Sequence, residues 1–131
     1  MKLVILAGGY GTRLSEETKT KPKPLVKIGN KPIIWHLMKI YSSFGINEFI
    51  ICLGYKGTMI RDELKKYVKK ESWLINFVDT GLHTMTGGRV KRIKKYLNND
   101  KDFCLSYGDG LSNINIKKLI KFHLNNNKIA T

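Results

Sequence analysis

The sequence predicts an α/β domain built on a mostly parallel sheet, and three observations predict it. Short apolar runs rich in β-branched or aromatic residues recur at residues 2–5, 49–53, 73–78 and 103–107, the length and composition of buried strands. Between them lie segments with apolar residues at helical spacing, and strands that alternate with helices of this length form parallel sheets. Three of the four runs also end in glycine, at Gly8-Gly9, Gly54 and Gly108. Ligands of such sheets bind beyond the carboxyl ends of the strands. The glycine-rich turns therefore mark the functional edge.

The first run feeds the stretch Leu6-Ala7-Gly8-Gly9-Tyr10-Gly11-Thr12-Arg13-Leu14, around which the chain is organised. Glycine lacks a Cβ, so such a loop can turn freely and bring its N–H groups close to an anion. Arg13 adds a planar cation suited to bidentate phosphate contact. Residues 15–20 read as a polar surface segment. Lys21-Pro22-Lys23-Pro24 is expected to be extended rather than helical, because each proline disfavours helical geometry in its predecessor. That stiffness would aim Lys23 in a fixed direction. Asn30 is expected to cap a helix with Pro32 in its first turn. The stripe Ile33, Ile34, Leu37, Met38, Ile40, Tyr41 and Phe44 runs along that helix, which ends at Gly45. His36 lies on it and reads as a packed or hydrogen-bonded histidine. After the second strand comes the turn Gly54-Tyr55-Lys56 and a charged amphipathic helix, with Met59, Ile60, Leu64, Tyr67 and Val68 inward. Residues 79–89 form a long irregular segment, the kind of loop that is usually functional or disordered. Thr84, Thr86 and Arg89 offer hydroxyls and a guanidinium there, while His83 is uninterpretable alone. A basic helix over 89–97 turns Val90, Ile93 and Leu97 inward. The fourth strand ends in Gly108-Asp109-Gly110, where a carboxylate at a strand's carboxyl end can reach a metal that bridges phosphates. A helix over 116–125, with Leu119, Ile120, Phe122 and His123 near its apolar side, precedes residues 128–131, which look like the start of a strand.

A chain of 131 residues with 42% hydrophobic content is one domain with a real core. No run of 18 apolar residues and no charged-then-apolar leader is present, so neither a membrane span nor a signal peptide is expected. Cys52 and Cys104 read as buried free thiols, which suits a reducing, cytoplasmic compartment. The net charge of +14 raises nucleic-acid binding. Against it, 20 lysines accompany only 4 arginines, whereas arginine is the residue that reads phosphates and bases with geometry. The pairs Lys65-Lys66, Lys69-Lys70, Lys94-Lys95 and Lys117-Lys118 fall within helical segments and read as solvated faces.

The first loop resembles the signature of the sugar-1-phosphate nucleotidylyltransferases. It matches neither the P-loop nor the dinucleotide-binding pattern of glycines. The resemblance continues through Lys21-Pro22-Lys23-Pro24, Gly29-Asn30-Lys31-Pro32-Ile33-Ile34-Trp35-His36, Val78-Asp79-Thr80-Gly81, Met85-Thr86-Gly87-Gly88-Arg89 and Tyr107-Gly108-Asp109-Gly110. The last two narrow it to the branch that joins CTP to glucose 1-phosphate, giving CDP-glucose and pyrophosphate. It implies a Rossmann-like three-layer nucleotidyltransferase sheet, mostly parallel and truncated at the C-terminus, spanning residues 1–131. It also implies that Leu6, Ala7, Gly8, Gly9 and Tyr10 contact the nucleotide, and that Gly11, Thr12 and Arg13 hold its phosphates. Lys23 would add charge near the transferring phosphate, with Arg13 and Lys23 as the catalytic cations. Thr84, Arg89 and Gly108 would bind substrate, Asp109 would be the first Mg²⁺ ligand, and the protein would be a homo-oligomer. The family's second magnesium carboxylate lies in a C-terminal half absent from this chain, and about twenty residues are missing between Tyr55 and Trp73. Other nucleotidylyltransferases using UTP, dTTP or GTP, and a nucleotide-binding module without turnover, stand as alternatives.

Overall fold

The computed structural model describes residues 1–10, 20–97 and 100–131; the expectations for Gly11, Thr12, Arg13 and the segment after them lie outside the described residues. The elements in chain order are β1 (Leu3–Leu6), a 3-10 turn (Lys23–Leu25), β2 (Lys27–Ile28), β3 (Lys31–Pro32), α1 (Ile33–Ser43), β4 (Glu48–Leu53), α2 (Gly57–Glu71), β5 (Leu74–Asp79), α3 (Thr86–Arg92), a second 3-10 turn (Lys94–Tyr96), β6 (Cys104–Tyr107) and α4 (Ile116–Asn126). The main sheet has the order β5-β4-β1-β6, with every pair parallel. From β1 the chain winds outward through β4 to β5, then crosses back to place β6 on the other side of β1. The gap between β1 and β6 is thus a topological switch point, where ligands of open α/β sheets bind.

The central strands β1 and β4 are apolar on both faces because both of their faces are covered. Leu3, Ile5, Ala7, Phe49, Ile51 and Leu53 join one cluster with Ile34, Leu37 and Met38 of α1, Ile60 and Leu64 of α2, Trp73 and Ile116. Val4, Leu6, Ile50, Cys52 and Val78 point the other way, onto Ile93 and the partly buried Val90, Tyr96, Leu97 and Phe103. The result is three layers, and each fully buried aliphatic or aromatic side chain contributes roughly 1.5–3 kcal/mol of transfer free energy. Burial pushes the Cys52 thiol up to about 11, partly opposed by Arg89, so it stays protonated. The lysine pairs at 65–66, 69–70, 94–95 and 117–118 are exposed, as solvated faces should be.

Several local expectations are corrected. Lys23-Pro24-Leu25 is a 3-10 turn, with Leu25 N–H donating to Pro22 C=O (2.8 Å) and Val26 N–H to Lys23 C=O (3.1 Å); neither bond needs the N–H that proline lacks. Pro22 itself is extended. Asn30 does not cap α1, because Gly29 (φ +62°) and Asn30 form the turn joining β2 to β3, and Pro32 stands at the helix start with no side-chain cap. The helix expected over 89–97 begins earlier, at Thr86, and takes Gly87 and Gly88 into its first turns. Residues 128–131 form no strand; Ile129 is fully exposed and His123 Nδ1 lies 2.7 Å from Thr131 Oγ1. Cys104, Met59 and Phe122 are less buried than expected, because β6 is a sheet edge and α2 and α4 each cover the sheet along a narrow stripe. His36 is hydrogen-bonded, its Nε2 3.0 Å from Ile28 O, as its place on the helix suggested.

Candidate active site

The register of the sheet sets the site. Leu6 is level with Cys52 and Tyr107, and Cys52 with Val78. Counting two residues on from each strand places Gly8, Gly54, Thr80 and Asp109 side by side at the carboxyl edge. Backbone bonds continue the alignment past the strands, from Ala7 N–H to Cys52 C=O, Thr80 N–H to Leu53 C=O and Gly108 N–H to Leu6 C=O. Above this edge lies a cavity of about 740 Å³ lined by Leu6, Ala7, Gly8, Gly9, Tyr10, Lys23, Thr84, Arg89, Gly108 and Asp109 among others. The sequence-expected site residues within the described region therefore all meet in one place. Pro24, Leu82, His83, Met85, Thr86 and Tyr107 complete the wall. Tyr10 lies against Tyr55 (5.0 Å between ring centroids) and near His83 (6.3 Å), and of these rings Tyr10 and His83 line the cavity.

Lys23 and Asp109 form a direct ion pair inside this cavity, each side chain about a third exposed. The 3-10 turn brings them together. A Cβ on Gly108 would come within 2.9 Å of Pro24 Cγ, so glycine at 108 lets the proline turn lie against the end of β6. Asp109, one residue on, then meets Lys23. The pair is a cation and a carboxylate held ready side by side, the groups that a phosphate and a metal would respectively engage. Among the described residues no group of three or more His, Cys, Asp or Glu could hold a metal by itself.

Arg89 is placed differently from the loop cations. It is 6% exposed and lies beneath the glycine loop. Its Nη1 donates to Leu53 C=O (3.0 Å) and Thr80 Oγ1 (2.7 Å), and its Nη2 to Gly8 C=O (3.0 Å) and more weakly to Leu82 C=O (3.4 Å). Burial pulls its pKa below the ordinary guanidinium value. Two glycines make room for it. A Cβ on Gly8 would collide with Arg89 Nη1, and one on Gly54 would lie 2.6 Å from Gly8 C=O and 2.7 Å from Nη1. Arg92 reinforces the next loop, donating to Thr80 C=O (2.6 Å) and Thr84 Oγ1 (2.8 Å), and so fixes the hydroxyl of Thr84 at the cavity. Gly54 and Thr80 escape the sequence reading as site residues. The only signal for Gly54 is its position after β4, equivalent to that of Gly8 after β1, and Thr80 is marked only as a member of the Val78-Asp79-Thr80-Gly81 segment.

A parallel sheet with a glycine loop, a lysine and a carboxylate around its switch-point cavity defines a nucleotide-handling α/β protein. The Nucleotidyl transferase family profile matches residues 2–131, and the chain belongs to that family. It is 48% identical to the glucose-1-phosphate cytidylyltransferase of Salmonella typhimurium, in an alignment covering all of this chain and 59% of that protein. It is 46% identical to the probable glucose-1-phosphate cytidylyltransferase of Bacillus subtilis, again over the whole chain and 59% of the relative. The chain thus spans about three-fifths of the length of these relatives. The Salmonella alignment runs over 151 positions, so that relative carries residues with no counterpart here. Among solved structures, HddC from Yersinia pseudotuberculosis complexed with GMP-PN superimposes with a TM-score of 0.80 at 34% identity, covering 94% of this chain and 54% of that one.

Proposed function

We propose that residues 1–131 form the nucleotide-binding portion of a glucose-1-phosphate cytidylyltransferase, with CTP and glucose 1-phosphate as substrates. The observation that carries this reading is the convergence of the Gly8–Gly9 loop, Lys23, Thr84 and Asp109 on one cavity at the switch point. The cytidylyltransferase relatives at 46–48% identity favour CTP. In the reaction a phosphate oxygen of glucose 1-phosphate attacks the α-phosphorus of CTP in line, the new P–O bond forms, and pyrophosphate leaves with the electrons of the broken bond. No side-chain nucleophile is required, so the protein contributes position and charge. The glycine loop's N–H groups and Lys23 bind phosphate oxygens, Thr84 adds a hydroxyl, and the ring of Tyr10 on the cavity wall offers the base an aromatic face.

Mg²⁺ fits the donor set in part. Magnesium commonly takes one or two carboxylates, substrate phosphates and several waters, and Asp109 supplies one carboxylate beside the phosphate loop. When bound, the ion would neutralise charge building on the phosphates. Asp109 would hold the ion, and the Lys23 ammonium that it now pairs with would then be available to a phosphate oxygen. No helix among the described residues is long and apolar enough to cross a membrane, and a cytoplasmic homo-oligomer acting in nucleotide-sugar synthesis is in keeping with the proposal.

The GMP-PN complex of the 34%-identical Yersinia protein favours one second reading, in which the base is guanine. Pyrophosphate release from CTP, UTP, dTTP and GTP in the presence of glucose 1-phosphate and Mg²⁺ separates the two. The proposal expects CTP to give the highest rate. A higher rate with GTP would assign the chain to the guanylyl branch.

A further inference from the structure

We infer that Arg89 and Thr80 act as a positioning pair that orients the Gly8–Gly9 peptide, turning the Gly9 N–H toward the phosphate site, rather than Arg89 serving there as a free cation. The ligand side of this inference rests on the nucleotide reading above; the geometric side does not.

The Gly8 carbonyl accepts from Arg89 Nη2 (3.0 Å) and from the Tyr55 N–H (3.2 Å). Two donors thus hold it on the sheet side of the loop. The described chain contains no cis peptide bond, and in a trans peptide the C=O and the following N–H point in opposite directions. Pinning the Gly8 oxygen inward therefore sends the Gly9 N–H outward. Gly9 is exposed, lines the cavity and has none of the described residues within 4 Å of where a Cβ would stand. Peptide orientation is the quantity that a phosphate cradle has to fix, because a flipped peptide would present a carbonyl oxygen to the anion.

Arg89 can hold the Gly8 carbonyl only if its own plane is fixed, and Thr80 fixes it. Thr80 is fully buried; its Oγ1 accepts from Arg89 Nη1 (2.7 Å) and donates to Leu53 C=O (2.7 Å), which itself accepts from Nη1. The hydroxyl and the carbonyl together seat one end of the guanidinium fork at the end of β4, leaving the other end directed at Gly8. The described ion pairs involve Lys2, Lys23, Lys39, Lys66 and His123, and none includes Arg89. Its planar array of donors is therefore used on backbone carbonyls and one hydroxyl. A lysine could keep the charge but not the fork.

Amide hydrogen exchange on the 131-residue chain without ligand tests the geometry. The Tyr55 amide should be protected in the parent. Thr80→Val and Arg89→Lys should speed its exchange roughly tenfold or more, the scale set by loss of a charge-assisted bond, while the Ile51 amide in β4 stays unchanged. Thr80→Ser, which keeps the hydroxyl, should restore protection. Unchanged Tyr55 exchange in both Thr80→Val and Arg89→Lys would overturn the inference. Titration with inorganic tripolyphosphate tests the ligand side. The Gly9 amide resonance should shift in the parent and in Thr80→Ser, with affinity at least about tenfold weaker in Thr80→Val and Arg89→Lys. Full affinity in Arg89→Lys would show that charge alone matters and would also overturn it. A parent whose Tyr55 is protected but whose Gly9 does not respond to tripolyphosphate contradicts the nucleotide reading instead, and leaves the Arg89–Thr80 frame standing.

Discussion

Gly8→Ala is expected to destabilise the protein and abolish nucleotide binding together. The added methyl would occupy the position of Arg89 Nη1. That guanidinium is buried between strand ends and held by these acceptors, so moving aside means leaving Gly8 C=O, Leu53 C=O or Thr80 Oγ1. Hydrogen bonds to a charged group contribute about 1.5–3 kcal/mol each, and a buried acceptor left unpaired adds a desolvation cost. The loss should reach roughly 3 kcal/mol, a large fraction of the stability of a small domain. Chemical denaturation reads the stability, and calorimetric titration with Mg-CTP reads binding. Gly9→Ala is the control, because nothing among the described residues lies within 4 Å of a Cβ there; it should cost far less stability. Equal stabilities for the two variants would mean that the close approach of Arg89 to Gly8 is not a constraint.

Asp109→Asn should remove the Mg²⁺ dependence of triphosphate binding, and Lys23→Ala should weaken triphosphate binding and slow turnover. Neither should cost much stability. The two residues face each other in the cavity at about one-third exposure, and ion pairs of that kind contribute at most about 1 kcal/mol to folding. Their chemistry with substrate is another matter. Removing one preorganised donor to developing charge costs on the order of 3 kcal/mol in the transition state, more than a hundredfold in rate. Melting curves run beside magnesium-dependent titrations and pyrophosphate release separate the effects. A variant that melts early but keeps its magnesium dependence and activity would reduce the pair to a structural contact.

The sequence showed the parts of the site whose signals are local. Gly8, Gly9, Lys23, Gly108 and Asp109 stand in or beside glycine and proline turns at strand ends, and alternation of strand and helix puts those ends on one edge. What lay outside its reach depends on register. Thr80 and Gly54 become neighbours of Gly8 only because Leu53 pairs with Asp79 and Leu6 with Cys52, and no window of sequence contains those pairings. The bond from Arg89 to the Gly8 carbonyl was hidden for the same reason: in sequence it is an arginine after two glycines, in space it donates to a loop 81 residues away. The errors at Asn30 and at residues 128–131 have a simpler cause. A cap signal and a β-branched residue are each compatible with more than one local structure, and tertiary pairing decided against the expected one.

The proposed function requires the cavity at the carboxyl ends of β1 and β6 to prefer cytidine triphosphate to guanosine triphosphate. Calorimetric titration of the chain with CTP and with GTP, each with Mg²⁺, tests it most directly. CTP should bind more tightly, with binding lost in Gly8→Ala and independent of magnesium in Asp109→Asn. GTP binding as tightly as CTP, or more tightly, would contradict it.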